Sequence, residues 1–269
     1  MTLSRRLRVK AGTTIKLADV DSGDTHGFSK GPELDAALAR NIARIDELQY
    51  LMYAERRHAL LVVLQGMDAA GKDGTIRHVI TGFNPQGCRV VSFKAPTPEE
   101  LAHDFLWRVH AAIPARGDVA IFNRSHYEDV VVVRVRELVP PRVWKRRYDE
   151  INRFERMLAE SGVVIVKVFL HISKDEQKRR LERRLEDKTK HWKVALNDFD
   201  DRKRWKDFMR AYEDAITQCS TADAPWYVVP ADRKWFRNLA VSEILVDTLE
   251  ALDMQFPKPA VDFSRITLE

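Results

Sequence analysis

A short apolar run leads directly into a glycine-rich turn near residue 60, and this junction constrains the fold more than any other feature. Residues 59–64 are continuously apolar, as expected for a strand that is buried on both faces. The sequence QGMDAAGKDGT follows over residues 65–75, where Gly66, Gly71 and Lys72 have the G-x4-G-K spacing. We therefore predict a strand, a phosphate-binding loop and a helix, in that order.

Four further apolar runs follow, and helix-like segments separate them. The runs cover residues 88–93, 119–122, 163–172 and 226–229. The helix-like segments cover residues 32–57, 73–82, 98–112, 141–160, 173–187, 199–219 and 233–253. Strands that alternate with helices indicate parallel βαβ units and a doubly wound α/β sheet. We expect a single domain over residues 1–269, with residues 1 to about 32 forming an arm that wraps it.

The composition limits the class of protein. Hydrophobic residues make up 45% of the 269 residues, enough for one large core, which excludes disordered and fibrous classes. Cys88 and Cys219 lack the spacing of a disulfide scaffold or a zinc site. No secretory signal follows the basic N-terminus and no apolar run is long enough to cross a bilayer, so we expect a cytoplasmic protein without a membrane partner.

The charge balance points to an anionic partner. The formal net charge is +5 and the pI is about 9.2. A basic surface attracts anions without identifying them. Nucleic acid, an acidic membrane surface and a polyanionic substrate all remain open on charge alone.

The glycine-rich turn is predicted to bind phosphate largely through its backbone. Small residues let the chain curl until its amide N–H groups converge on phosphate oxygens, and the next helix adds the positive end of its dipole. Lys72 would bring a full positive charge to the oxygens of a transferring group. The other residues expected to contact phosphate or nucleotide here are Gly66, Ala69, Ala70, Gly71, Asp73, Gly74 and Thr75.

Two aspartates distinguish this loop from the usual pattern. Asp73 stands where a Ser or Thr normally holds Mg²⁺, and Thr75 lies two residues too late for that position. Asp68 lies inside the loop, where phosphate would repel its carboxylate unless a cation lay between them. We therefore predict that Asp68 binds Mg²⁺ or polarises the attacking oxygen; the alternative is a turn former that bonds its own backbone.

The strand signal at residues 119–122 ends in the sequence NRSHYED over residues 123–129. In enzymes with such a loop, a neighbouring strand ends in an acidic residue near Mg²⁺. Asn123 is neutral at this position. We therefore expect Asp68 to bind the metal ion, either together with Glu128 or Asp129, or with water molecules as the remaining ligands.

A basic side chain follows at the same strand end. Arg124 is predicted to reach the crevice beyond the strand ends and to hold a phosphate group there. The alternative is a structural ion pair with Glu128 or Asp129. His126 is predicted to be structural, because phosphoryl transfer needs no histidine base.

A charged stretch at residues 174–193 contains nine Lys or Arg and five acidic residues. It follows a strand signal, where nucleotide kinases place a mobile lid that closes over the substrate. Its candidates for binding a multiply charged anion are Arg179, Arg183, Lys190 and Lys193. The alternative is a solvated helix face with ion pairs between neighbouring turns.

Three motifs together resemble the polyphosphate kinase 2 family. They are the loop GMDAAGKDG at residues 66–74, the run NRSHYED at residues 123–129, and the segments APWYVVPAD and KWFRN at residues 224–232 and 234–238. The resemblance extends over about residues 30–253. It implies a three-layer α/β/α P-loop kinase fold similar to thymidylate kinase, with a parallel sheet, a helical lid at about residues 174–198, and assembly as a homo-oligomer, a tetramer or dimer.

The same resemblance implies an activity and roles for site residues. The activity is reversible, Mg²⁺-dependent transfer of the terminal phosphoryl group between inorganic polyphosphate and an adenine nucleotide, with Mn²⁺ as an alternative cation. Asp68 and Lys72 match the family's catalytic pair, Arg124 matches a catalytic arginine, and Arg183 resembles a phosphate-binding arginine of the lid. Asn123 together with Glu128 resembles the subgroup that phosphorylates both AMP and ADP.

Two other functions compete with this interpretation. An ATP-dependent nucleoside monophosphate kinase would need the same phosphate-binding loop. A nucleic-acid-binding protein could use the basic face with Trp192 and Trp205 as stacking residues. The second alternative leaves Asp68 inside a phosphate-binding loop unexplained, so we expect no nucleic-acid partner.

Overall fold

A computed structural model of the chain, which describes residues 1–194 and 196–261, contains a sheet of five parallel strands. Each strand coincides with one of the five apolar runs, so the predicted parallel sheet is confirmed. The spatial order is β2-β3-β1-β4-β5, which places β1 at the centre. The strands are β1 (Ala59–Gln65), β2 (Cys88–Ser92), β3 (Val119–Asn123), β4 (Val163–His171) and β5 (Trp226–Pro230).

Helices cover the sheet in two layers. The long helices α2 and α11 pack together and α11 contacts β4 and β5, whereas α7 packs against β4 and α10. This arrangement confirms the predicted three-layer α/β/α fold. The helices are α1 (Leu3–Leu7), α2 (Pro32–Glu55), α3 (Lys72–His78), α4 (Pro98–Ala102), α5 (Trp107–His110), α6 (Val132–Val135), α7 (Pro141–Glu160), α8 (Lys174–Glu186), α9 (Leu196–Lys203), α10 (Trp205–Cys219) and α11 (Lys234–Glu250).

Two predicted helices are each divided in the structure. Residues 98–112 form α4 and α5, and in the turn between them the Asp104 carboxylate accepts a hydrogen bond from the amide of Leu106. Residues 199–219 divide between α9 and α10 at Arg204, whose guanidinium donates to the carbonyl of Val135 at 2.7 Å. Polar contacts of this kind lie at both breaks, and helical periodicity does not reveal them.

The N-terminal residues lie along the outer edge of β5. Leu3, Leu7 and Leu17 are buried in the core. The amide of Val9 donates to the carbonyl of Trp226 at 2.8 Å and so extends the hydrogen bonding of the sheet. A covered edge strand is protected from pairing with other chains. No helix among residues 1–194 and 196–261 has the length and apolarity needed to span a membrane.

Strand pairing determines where the functional loops meet. Leu64 of β1 pairs with Asn123 of β3, and Gln65 pairs with Phe169 of β4. All three strands are parallel and therefore end at the same edge of the sheet. The loop after β1 and the loop after β3 consequently start side by side, as ligand-binding loops do in open α/β sheets.

Candidate active site

The phosphate-binding loop between β1 and α3 has a backbone suited to an anion. Gly66, Ala69 and Gly71 have positive φ angles of 148°, 61° and 118°, so the chain curls tightly before α3 begins at Lys72. The first amides of a helix lack intrahelical acceptors and point out of its N-terminus. A left-handed conformation at the non-glycine Ala69 stores strain, and such strain clusters at ligand-binding sites.

The three predicted catalytic residues lie together at this loop. Arg124 Nη2 donates to Asp68 Oδ1 at 2.9 Å, so the arginine pairs with the loop and with neither of the carboxylates that follow it in sequence. Lys72 Nζ donates to the carbonyl of Gly66 at 2.6 Å. The same ammonium group lies 3.3 Å from the carbonyl of Met67. Its charge thus faces the interior of the loop.

The site balances positive and negative charges that are partly buried. Burial and the charge of Arg124 lower the pKa of Lys72, while nearby carboxylates oppose this change. Burial raises the pKa of Glu128, and Arg124 and Lys72 limit the increase. Glu128 is therefore near both predicted catalytic cations. An incoming phosphate would stabilise the charged form of Lys72, because an adjacent opposite charge favours ionisation.

Asp73 connects the loop to two other predicted site residues. Asn123 Nδ2 donates to Asp73 Oδ1 at 3.0 Å, and Lys193 Nζ donates to Asp73 Oδ2 at 3.0 Å. Burial would raise the pKa of Asp73, but the hydrogen bonds from Lys193 and Asn123 lower it overall. An aspartate at position 123 would face this carboxylate with a like charge, so the neutral amide fits the contact it makes.

The residues between Arg124 and Glu128 enter the core and hold the loop after β3. Ser125 Oγ accepts a hydrogen bond from Gln65 Nε2 at 3.1 Å, which ties the ends of β3 and β1 together. His126 Nε2 lies 3.1 Å from Glu155 Oε1, and Tyr127 Oη donates to the same oxygen at 2.9 Å. His126 is completely buried, in agreement with a structural role.

Helix α8 contributes two side chains that sequence reasoning did not assign to the site. Gln177 Nε2 donates to the carbonyl of Asp68 at 3.0 Å. Arg180 Nη1 donates to the carbonyls of Ala69 and Ala70 at 3.0 and 2.8 Å, and its Nε pairs with Glu176 at 2.8 Å. Glu176 and Arg180 are one helical turn apart, and this spacing in the sequence indicates an ion pair. Nothing in the sequence indicates that the pair is buried against the loop.

Two predicted binding residues lie away from the centre of the loop. Arg183 is exposed and its guanidinium lies 3.8 Å from Glu176, without a contact to the loop backbone. Thr75 is fully buried in α3, and its hydroxyl has no hydrogen-bond partner in the part of the chain that the structure describes. A phosphate-binding role for each stays a prediction, as does lid movement of residues 174–198.

A further carboxylate approaches the loop from α9. Burial and the negative charge of Asp68 raise the pKa of Asp198 to about 6. Arg184 Nη1 lies 3.6 Å from Asp198 Oδ2 and offsets part of this repulsion. The sequence places Asp198 about 130 positions after Asp68, and only the folded chain brings the two within electrostatic range.

The carboxylates fit a cation that takes most of its ligands from a substrate. Within residues 1–194 and 196–261 there is no group of three or more His, Cys, Asp or Glu side chains placed to hold a metal ion. Mg²⁺ commonly uses one or two protein carboxylates together with phosphate oxygens and water. Asp68 and Glu128 would supply such a pair of carboxylates, and carboxylate oxygens are ligands that Mg²⁺ prefers.

The central parallel strand, the curled loop and the loop lysine at the start of a helix define a P-loop phosphotransferase. The family within this class follows from comparison with known proteins. Residues 29–257 match the family described as polyphosphate kinase 2. The chain belongs to the polyphosphate kinase 2 family.

Two curated relatives are similar to this chain over nearly their whole length. The chain is 52% identical over 267 residues to the AMP/ADP-polyphosphate phosphotransferase of Meiothermus ruber, covering 98% of this chain and 100% of that protein. It is 42% identical to the ADP-polyphosphate phosphotransferase of Rhodopseudomonas palustris, covering 95% and 92%. The crystal structure of polyphosphate kinase 2 from Arthrobacter aurescens TC1 superimposes with a TM-score of 0.93 at 45% identity, covering 98% and 94%.

The conformation of Gly71 leads to a first prediction. A Cβ atom at this position would lie 1.9 Å from Arg237 Nη1, and the φ of 118° disfavours any side chain. We expect Gly71→Ala to lower turnover by about tenfold or more, because small displacements of a catalytic loop are costly. Steady-state kinetics on the folded variant measure this loss.

Gly12→Ala is the matched control for this variant. Gly12 also has a positive φ, of 76°, but nothing lies within 4 Å of the added Cβ. Backbone strain alone therefore acts in the control, and its turnover should stay near that of the wild type. Equal activity of Gly71→Ala and wild type would contradict the close packing behind the loop.

Proposed function

We propose that this protein transfers the terminal phosphoryl group of inorganic polyphosphate to AMP and to ADP, forming ADP and ATP. The observation that carries the proposal is the cluster of Asp68, Lys72 and Arg124 at adjoining strand ends. It occurs in a chain that is 52% identical to a protein named AMP/ADP-polyphosphate phosphotransferase. One fold can host many functions, so the function is argued from the site. Here the geometry of the site and the similarity to the named relative support the same reaction.

The proposed reaction exchanges one P–O bond for another. An oxygen of the terminal phosphate of AMP or ADP attacks the terminal phosphorus of polyphosphate, and the bond from that phosphorus to the bridging oxygen breaks. The shortened polyphosphate leaves with the bonding electrons and the bridging oxygen. The reverse reaction follows the same path, so the transfer is reversible.

The protein's own residues position the reactants and stabilise charge. Lys72 turns from the carbonyls of Gly66 and Met67 toward the transferring oxygens once phosphate is present. Arg124 shares its guanidinium between Asp68 and a phosphate group, since it has several donors in one plane. Positioning and preorganised charges carry most of the rate in this chemistry.

A divalent cation, which we take to be Mg²⁺ with Mn²⁺ as an alternative, belongs to this proposal. When bound, it would neutralise phosphate charge and draw donor and acceptor together. Asp68 and Glu128 are the residues that would hold it. Asp68 pairs with Arg124, and the positive charges of Arg124 and Lys72 offset part of the cost of burying Glu128.

In this proposal the polyphosphate chain lies between the phosphate-binding loop and the segment that follows α8. Lys193 already reaches the loop through Asp73, and Arg183 lies one turn beyond Arg180 on the same helix. Gln177 and Arg180 fasten the first half of α8 to the loop. A lid movement would therefore involve the residues after Arg180 rather than the whole helix.

An assay without ATP tests the proposed function. We expect the pure protein to convert AMP to ADP and then to ATP when polyphosphate and Mg²⁺ are the only other reactants. Chromatography of the nucleotides measures the products. ADP and GMP supplied separately as acceptors define the specificity, and the Lys72→Ala protein prepared in the same way controls for contaminating kinases.

The same assay separates the competing functions. Formation of ADP from AMP with ATP as donor, and none with polyphosphate, would replace the proposal by an ATP-dependent nucleoside monophosphate kinase. Absence of phosphoryl transfer from either donor would contradict both enzymatic functions.

A further inference from the structure

A buried guanidinium group lies directly behind the phosphate-binding loop. Arg237 belongs to the first turn of α11, and its side chain is only 2% exposed. Its Nε and Nη2 donate to Asn238 Oδ1 at 3.2 and 2.8 Å. None of the carboxylates in residues 1–194 and 196–261 lies within 4 Å of this guanidinium.

The guanidinium packs against the loop backbone at two glycines. An ideal Cβ built on Gly71 would lie 1.9 Å from Arg237 Nη1, and one built on Gly74 would lie 2.9 Å from Nη2. Only residues without a side chain permit this approach. The positive group is therefore in contact with the part of the loop from which the amides of α3 emerge.

Other charges near Arg237 increase the positive potential behind the loop. Arg180 donates to four backbone carbonyls, and its carboxylate partner among the described residues, Glu176, also pairs with Arg179 and Arg183. Burial, and then the charges of Arg180, Arg183 and Arg237, lower the pKa of Lys234. Burial and the charge of Arg180 lower the pKa of Arg237 to about 10, so Arg237 remains charged at neutral pH.

A buried charge without an opposite charge is unfavourable, because desolvation is not repaid. In the unliganded protein this cost acts against folding. An anion bound in the loop would offset this cost, because only the backbone at Gly71 and Gly74 lies between the anion and the guanidinium group. Folding and anion binding are then thermodynamically coupled, since a ligand that relieves a cost in the native state stabilises that state.

We infer that Arg237 is a positioning residue whose counter-charge is the phosphate group bound in the loop in front of it. The inference rests on the proposed function for the identity of the substrate but concerns any phosphate chain that enters the loop. Arg237 acts through the loop backbone and does not touch the substrate. Its contribution is long-range and appears in phosphate binding rather than in the stability of the empty protein.

Thermal unfolding with and without tripolyphosphate tests this role. We expect Arg237→Met to unfold at the same temperature as the wild type or higher when no anion is present, because an uncompensated buried charge is gone. Its stabilisation by tripolyphosphate should be much smaller than that of the wild type. The dissociation constant from calorimetry should rise about tenfold or more, within the usual range of coupling between sites.

Two further variants control for charge and shape. Arg237→Lys keeps a positive charge and should recover part of the lost affinity. Arg146→Met removes the same charge from an exposed position on α7, where Arg146 pairs with Glu150 at 2.8 Å, and should bind tripolyphosphate like the wild type. All measurements use a buffer free of phosphate and sulfate.

Two results would overturn the inference. Arg237→Met could unfold at a lower temperature without anion while keeping wild-type affinity, which would make Arg237 a structural brace. Arg146→Met could weaken binding as much as Arg237→Met, which would reduce the effect to net charge. A wild-type protein that binds tripolyphosphate through Arg237 but fails the assay without ATP would contradict only the proposed function.

Discussion

Turnover should fall by about two powers of ten or more when Lys72 is replaced by alanine, the scale of losing a preorganised charge contact in an active site. Lys72 is the ammonium group at the start of α3, and its Nζ already lies inside the loop at 2.6 Å from the carbonyl of Gly66. The variant leaves developing charge on the transferring phosphate without this donor. Initial rates with polyphosphate and ADP measure the effect.

The loss should appear in turnover more than in stability. Lys72 donates only to two carbonyls of the loop and forms no ion pair in the described part of the chain. Lys203→Ala is the matched control, because Lys203 is exposed and pairs with Asp200 on α9. A Lys72→Ala protein that turns over at nearly the wild-type rate would remove Lys72 from the mechanism.

The second large effect concerns the free energy of unfolding. Lys167 lies on β4 with no exposed surface, and its Nζ donates to Glu155 Oε2 at 2.5 Å, to Tyr127 Oη at 2.8 Å and to the carbonyl of Cys219 at 2.6 Å. Replacing Lys167 by methionine leaves the Glu155 carboxylate buried and removes the ammonium group that compensates its charge. We expect Lys167→Met to lower the free energy of unfolding by about 3–5 kcal/mol. Urea denaturation measures this change.

A double variant distinguishes a lost ion pair from a packing defect. Glu155→Gln removes the buried negative charge, and its amide oxygen can still accept the hydrogen bond from Tyr127. The double variant Lys167→Met/Glu155→Gln should therefore be more stable than Lys167→Met alone, because no uncompensated charge remains. Additive losses from the two substitutions would show that the charges do not interact as described.

The pH dependence of this pair has a defined sign. Burial would raise the pKa of Glu155, but Lys167 and then His126 lower it below the ordinary value of 4.5. A depressed carboxyl pKa contributes stability above the unfolded pKa and loses it as pH falls through the folded value. The stability difference between wild type and Lys167→Met should therefore shrink as pH decreases below about 4.5. Denaturation curves at pH 7 and pH 4 measure it.

This buried pair matters for the active site because of its place in the loop after β3. Tyr127 and His126 bind Glu155, whereas Arg124 and Glu128 on either side of them face the phosphate-binding loop. The core contacts therefore determine the direction of the site residues. Activity lost in Lys167→Met would come from the position of this loop, since Lys167 does not reach the site.

Much of the fold was predictable because local patterns reflect burial. Continuous apolar runs gave all five strands, since strands of a parallel sheet are covered on both faces. The helix over residues 141–160 was predicted at its observed bounds. The breaks near Asp104 and at Arg204 were not predicted, because the spacing of apolar residues does not report the contacts between polar side chains and backbone that are found there.

The sequence alone predicted the chemistry of the loop: a glycine-rich turn between a strand and a helix, with Asp68 and Lys72 at positions suited to a phosphate and its counter-ion. That chemistry depends on residues close together in the chain, so the spacing of these residues in the sequence is enough to predict it. Only the tertiary structure decided that Arg124 pairs with Asp68, that Arg180 and Arg237 support the loop from behind, and that Glu155 and Lys167 hold the loop after β3. These contacts join residues far apart in the chain, and whether a charged side chain is buried or solvated depends on what the fold packs against it.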